Sequence, residues 1–189
     1  MRQSDYSGDN ISAADWIEPS ASDHDSGLLK YWAFISYSHY DESIANWLLR
    51  CLENHPVPKD LQERSSIDGA QIGKYLRPIF RDRDELASSY DLGGKIHQGL
   101  QGSRYLVVIA SPNSAKSKWV NEEINIFKKM GRGNRILVLL VGGIPNSPTS
   151  VTECFPPALR GSQEPIAADL RREGDGKTRA YLKIVAGII

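Results

Sequence analysis

The chain has 189 residues, 40% of them hydrophobic, room for one domain of about 150 to 160 residues plus a tail. Its 23 basic and 23 acidic side chains cancel, which argues against broad electrostatic binding to nucleic acid or to an anionic membrane. Two cysteines without CxxC spacing and four histidines without ligand-like spacing point away from a disulfide framework and from zinc, and no metal is expected.

Residues 1–29 are rich in Ser, Asp and Gly and lack sustained periodicity. They are expected to form a disordered acidic tail, leaving 30–189 as the folded domain. The tail has no apolar signal core, and no run approaches the roughly 18 apolar residues of a membrane span, so the cytoplasm is the expected compartment. YWAFISY (31–37) is a continuous apolar run, the mark of a parallel strand buried on both faces. SHYD (38–41) fits a helix-capping pattern, and Ile44, Trp47, Leu48, Cys51 and Leu52 then repeat at helical spacing. Cys51, on that stripe, is read as a small buried hydrophobe.

Residues 55–75 read as a long loop, and LRPIF (76–80) as a short strand kept at an edge by Pro78. RDRDELASSYDLGG (81–94) is polar, and the helix expected around KIHQGLQ is weakened by Gly99. RYLVVIAS (104–111) and RILVLLV (135–141) are the clearest central strands. Gly-Gly, several prolines and a helical turn at PALR fill 142–165. PIAADL holds a last strand and KTRAYLKIVAGII a last helix. Its apolar finish either packs into the core or marks a chain cut from a longer protein. Strands alternating with helices predict a three-layer α/β fold of flavodoxin-like order, with a central five-stranded parallel sheet. Ligands in such folds bind beyond the carboxyl ends of the strands, which here carry Ser36–Ser38, Arg81–Asp84 and Ser111–Pro112.

Between the two central strands, SKWVNEEINIFKKM (117–130) gathers Trp119, Val120, Ile124, Ile126, Phe127 and Met130 on one helical face, with Glu123 near its middle. Glu123 either bends out to solvent, or pairs with a cation such as Arg81 or Arg83, or serves as a functional acid whose desolvation raises its pKa. Other chemistry is poorly represented. There is no GxSxG elbow, no GxGxxG after the first strand and no complete phosphate loop around DLGGKI. His39, at a strand end, is a minor contact candidate.

Four motifs in order complete the reading. AFISYSHYDE, IFRDRDEL, SRYLVVIASP and SKWVNEEI together resemble the TIR (Toll/interleukin-1 receptor) domain family, bacterial type: its first strand, its second strand running into the BB loop, its third strand, and its Trp-x-x-x-Glu helix. The resemblance covers roughly 31–145 well and implies a flavodoxin-like fold. It further implies an NAD+ hydrolase that releases nicotinamide and ADP-ribose or a cyclic isomer, with NAD+ as substrate rather than cofactor. Such an enzyme is activated by homotypic self-association and acts in antiphage signalling. The family's other branch consists of non-catalytic adaptors that work by TIR–TIR contact. By resemblance Glu123 is the catalytic acid. Trp119, Phe34, Ser36, Ser38, Arg83 and Leu86 would line the substrate pocket.

Overall fold

The computed structural model describes residues 29–66, 69, 71–81, 92–160 and 167–189. Residues 1–28 of the expected tail lie outside that set, as does the polar segment 82–91. Every residue of strand β1 (Tyr31–Ser36) is buried, because the strand runs through the middle of a sheet covered on both faces. Around it stand β2 (Phe80–Arg81), β3 (Ser103–Ala110), β4 (Ile136–Leu140) and β5 (Ala167–Asp169). Among the described residues the sheet has five strands in the order β2-β1-β3-β4-β5, and each neighbouring pair is parallel. This is the expected flavodoxin-like order.

Parallel neighbours need crossovers, and the helices supply them. They are α1 (Glu42–Glu53), the short α2 (Lys59–Gln62), α3 (Leu92–Gln101), α4 (Lys118–Lys129) and α5 (Gly176–Ile188). Alternating strand residues feed two separate apolar layers. Ile35, Val107, Ile109 and Leu139 face α1 and α5, through Leu48, Leu52, Ile184 and Ile188 among others. Phe34, Leu106, Val108 and Val138 face α3 and α4, through Leu100, Val120, Ile124 and Phe127. The apolar end of the chain therefore packs into the core, with Ile188 1% exposed.

Three expectations are corrected. LRPIF contributes only Phe80 to a strand, which runs on to Arg81 and registers Phe34 with Phe80 and Ile35 with Arg81. Pro78, lacking an N–H, sits just before it and uses its carbonyl to accept from Trp32 N at 3.0 Å. Residues 55–75 are not a plain loop. They hold α2 and two antiparallel bridges, Pro56 with Tyr75 and Ser65 with Gln71, and they bury Val57 and Ile72 in the core. The SHYD cap is also different, since the Ser38 side chain makes no capping hydrogen bond. A single 3-10 turn (His39–Asp41) precedes α1 instead, closed by Asp41 N donating to Ser38 O at 2.7 Å.

Gly99 weakens α3 as a helix former, and the reason is contact with the sheet. A Cβ at this position would lie 2.7 Å from Cε1 and Cζ of Phe80. That ring is fixed in turn, stacked on Phe34 at 5.0 Å and set edge-on to Tyr31. Gly99→Ala gains about 1 kcal/mol of helix propensity but overpacks the α3–β2 contact at a cost of about 1–3 kcal/mol. The variant is expected to unfold at lower urea concentration than wild type; a higher midpoint shows that the Phe80 contact does not limit the site.

Candidate functional site

In an order of 2-1-3 the connections leaving β1 and β3 cross opposite faces of the sheet, so a crevice opens between their carboxyl ends. Helix α1 follows β1 on one face, and α4 follows β3 on the other. Helix α4 starts where the sequence indicates, at a serine N-cap: Ser117 Oγ accepts from Val120 N at 3.3 Å. Its buried stripe is Val120, Glu123, Ile124, Ile126 and Phe127. Glu123 is 3% exposed, which rules out the reading in which it bends to solvent. The hydroxyl of Ser36, the last residue of β1, donates to Glu123 Oε2 at 2.5 Å.

Trp119, by contrast, is 47% exposed, so the apolar face is narrower than the sequence suggests. The cause is its position along the helix. Four residues before Glu123 correspond to about 6 Å of helical rise, and at the start of α4 that carries Trp119 past the strand ends. The indole thus stands at the rim, one turn above the enclosed carboxylate.

A second acid is buried at the same edge. Asp41, 7% exposed, accepts from Ser111 Oγ at 2.6 Å. Ser111, just past the end of β3, also accepts from the backbone N–H groups of Asn113 and Ser114, each at 3.1 Å. Ser114 Oγ closes the turn, accepting from Ser111 N at 2.8 Å and donating to Ser111 O at 3.0 Å. The two Ser–carboxylate bonds cross the crevice in opposite directions. The serine ending β1 holds the acid of the helix after β3, and the serine after β3 holds the acid of the turn after β1. Sequence reasoning missed the Asp41–Ser111 pair, for which the only signal is a serine closing each of two adjacent apolar strands.

The other expected site residues are distributed unevenly. Phe34 is wholly enclosed, stacked on Phe80 below Ser36. Ser38 is 6% exposed, in the connection leaving β1. His39 is exposed in the following turn, its ring 3.7 Å from that of Tyr40, which is 72% exposed. Arg81 is buried at the end of β2, beside Ile35 in register. Arg83 and Leu86 lie outside the described residues.

Remaining candidates belong to the framework. Buried Glu153 accepts from Phe155 N at 2.7 Å and meets Arg160 at 3.5 Å. Cys154 is buried among apolar groups beside Glu153, and both effects push its thiol up to about 11, far from a nucleophile's range. Among the described residues no three His, Cys, Asp or Glu side chains could share a metal ion, and no helix is long and apolar enough to cross a membrane.

The family model of the Thoeris protein ThsB, TIR-like domain, matches residues 34–144, which includes the second half of β1, the crevice and all of α4. This chain belongs to the TIR-like family. Within it, the NAD(+) hydrolase ApTIR of an Actinoplanes species is 30% identical over 157 residues, 76% of this chain. The match spans 20% of that longer protein. The TIR domains of the activated Roq1 resistosome, solved while recognising the pathogen effector XopQ, are a looser likeness. They show 17% identity and a TM-score of 0.41 over 58% of this chain and 56% of theirs.

Removing the Ser111 hydroxyl from this TIR domain leaves a buried carboxylate and two amides each short of a partner. Ser111→Ala is therefore expected to cost about 2–3 kcal/mol, read as a lower urea midpoint. An unchanged midpoint shows that the Asp41–Ser111 bond does not hold the edge together.

Proposed function

We propose that this TIR domain hydrolyses NAD+ at the bond between nicotinamide and ribose, with Glu123 as the catalytic carboxylate. One observation carries the reading. A glutamate at the switch-point crevice is buried to 3% exposure and accepts a hydrogen bond from the hydroxyl that ends β1. Burying a carboxylate has a real solvation cost, and a purely structural helix would place an apolar residue on this face. The Actinoplanes relative, named as an NAD(+) hydrolase, supports the substrate.

The chemistry needs little from the protein beyond charge and position. The C1′–N bond of NAD+ breaks with its electron pair passing to the pyridinium ring, so nicotinamide leaves neutral and needs no proton. Positive charge develops on the ribose C1′ and ring oxygen. A fixed carboxylate in a low-dielectric crevice stabilises that charge. Water adds to C1′ and its proton goes to solvent, giving ADP-ribose; attack by a group of the same molecule gives a cyclic isomer. Trp119, exposed at the rim, offers a face for the nicotinamide ring. Ser38, Arg83 and Leu86 would complete the ribose and phosphate contacts, as the family resemblance implies.

A carboxylate this enclosed meets substrate only after something over it moves. That fits activation by TIR–TIR self-association, in which one protomer's BB loop rearranges a neighbour's site, and we place such an enzyme in bacterial antiphage signalling. The exposed Trp119 and Tyr40 also suit the second reading, an adaptor that only associates with its own kind.

Incubating the protein with NAD+ and following nicotinamide release separates the two. The enzyme reading expects weak release from dilute protein, specific activity that rises with concentration, and a loss of about 100-fold or more in Glu123→Gln. Equal release from wild type and Glu123→Gln sinks the catalytic assignment, and association without release at any concentration establishes the adaptor. Trp119→Ala is expected to raise KM by about 10-fold, the worth of one aromatic face on a cationic ring, with a smaller effect on kcat; an unchanged KM removes Trp119 from the site.

A further inference from the structure

The geometry points to Ser36 as a positioning residue: its hydroxyl fixes the orientation of the Glu123 carboxylate and keeps it ionised, and is not itself a substrate contact. This rests on the reading of Glu123 as the catalytic acid and assigns a different task to a side chain expected to line the pocket. Ser36 is 1% exposed, so substrate has no direct path to its hydroxyl. A serine hydroxyl carries one hydrogen, and Ser36 directs it to Glu123 Oε2 at 2.5 Å. It therefore has no donor left for a ribose hydroxyl while that bond holds.

The placement is as rigid as the fold allows. Ser36 closes β1 and is paired in register with Val108 of β3, inside the most enclosed part of the sheet. Its neighbour on the same face, Phe34, is locked on Phe80. Glu123 has Val120, Ile124 and Phe127 around it on α4, all at most 1% exposed. A strand backbone thus aims the donor, and a packed helix brings the acceptor to it. Desolvation drives a carboxyl towards its neutral form, and a hydrogen bond given to the charged form opposes this. Removing the donor takes away one hydrogen bond to the charged form and shifts Glu123 towards its neutral form, which has no charge with which to stabilise a developing cation.

The test reads Glu123 directly as well as through turnover. Protein labelled with 13C at the glutamate carboxyl carbons is titrated by NMR, with the Glu123 signal assigned by its absence in Glu123→Gln. Loss of one hydrogen bond to a carboxylate is expected to raise the Glu123 midpoint by about one pH unit in Ser36→Ala. Ser36→Thr, which keeps a hydroxyl, is expected to stay near wild type. Ser36→Cys keeps the volume with a weak donor and replaces the alanine variant if that one does not fold. In nicotinamide release the acid limb of the pH–kcat profile is expected to move upward by the same amount in Ser36→Ala, with KM little changed.

An unmoved midpoint overturns the proposal, as does a loss confined to KM, which marks Ser36 as a substrate contact. A midpoint that moves in a protein releasing no nicotinamide supports the Ser36–Glu123 coupling and refutes the hydrolase reading alone.

Discussion

The bond from Ser36 to Glu123 ties the end of β1 to the second turn of α4. Both β1 and α4 are built for burial, and each ends its apolar run at the crevice with a polar group. The residues of α4 beside Glu123 pack against Leu106, Val108 and Val138, contacts that tolerate small slides because apolar surfaces have no preferred direction. A hydrogen bond between two buried groups is directional and resists such a slide. It fixes where the second turn of α4 meets the end of β1, and hence how far Trp119 projects beyond the sheet.

Its counterpart, Ser111 to Asp41, does the same on the opposite face. Helix α1 and the turn before it are tied to the end of β3, just as α4 is tied to the end of β1. The crevice is thus closed by a crossed pair of charge-assisted bonds, each bridging adjacent strands. Burying a carboxyl group without a hydrogen-bond partner is costly. Giving each its own hydroxyl, on opposite faces of the sheet, lets both be enclosed at one edge. Two further acids near the carboxyl edge, buried Glu153 and half-buried Asp169, are also partnered. Glu153 takes a backbone N–H and lies beside Arg160. Asp169 takes Arg171 through two oxygens, at 2.9 and 2.6 Å, and that guanidinium holds its carboxyl below the usual range.

Much of this was legible in the sequence, and the limits have physical causes. Strands β1, β3 and β4 announce themselves because burial on both faces demands unbroken apolar runs, and the alternation with helices gives the strand order. Strand β2 does not, because two residues with Pro78 upstream carry no periodicity, and its place is set by Phe80 meeting Phe34 and Gly99. The antiparallel bridges in 55–75 are missed for a similar reason: Val57 and Ile72 are single apolar anchors in polar chain. Glu123 was visible as a fault in an amphipathic helix, and the Trp-x-x-x-Glu motif singled it out from Glu122. Its partner was not, since a serine at a strand end looks equally like a cap, a turn or a ligand contact. SHYD illustrates the ambiguity. Spacing predicts that Ser38 caps a helix, but the buried Ser111 hydroxyl competes for Asp41, and the capping box gives way to a 3-10 turn.

The exposure gradient along α4 connects the fold to the proposed chemistry. Trp119 at 47%, Glu123 at 3% and Phe127 at 0% occupy one face at intervals of one helical turn, passing from rim to floor to core. Shallower seating of the helix would bring Glu123 into water, where its charge is screened and stabilises a cation weakly. Deeper seating would bury Trp119 and remove an aromatic face from the rim. The depth is set where Ser36 ends β1, so the strand's length determines the carboxylate's environment. A one-residue change in the end of β1 would turn the neighbouring side chain to the opposite face and leave Glu123 facing Tyr37 or Ile35 positions instead of a hydroxyl. The site is therefore specified by strand register as much as by the motif on the helix, and that explains why the apolar core and the acid within it have to be read together.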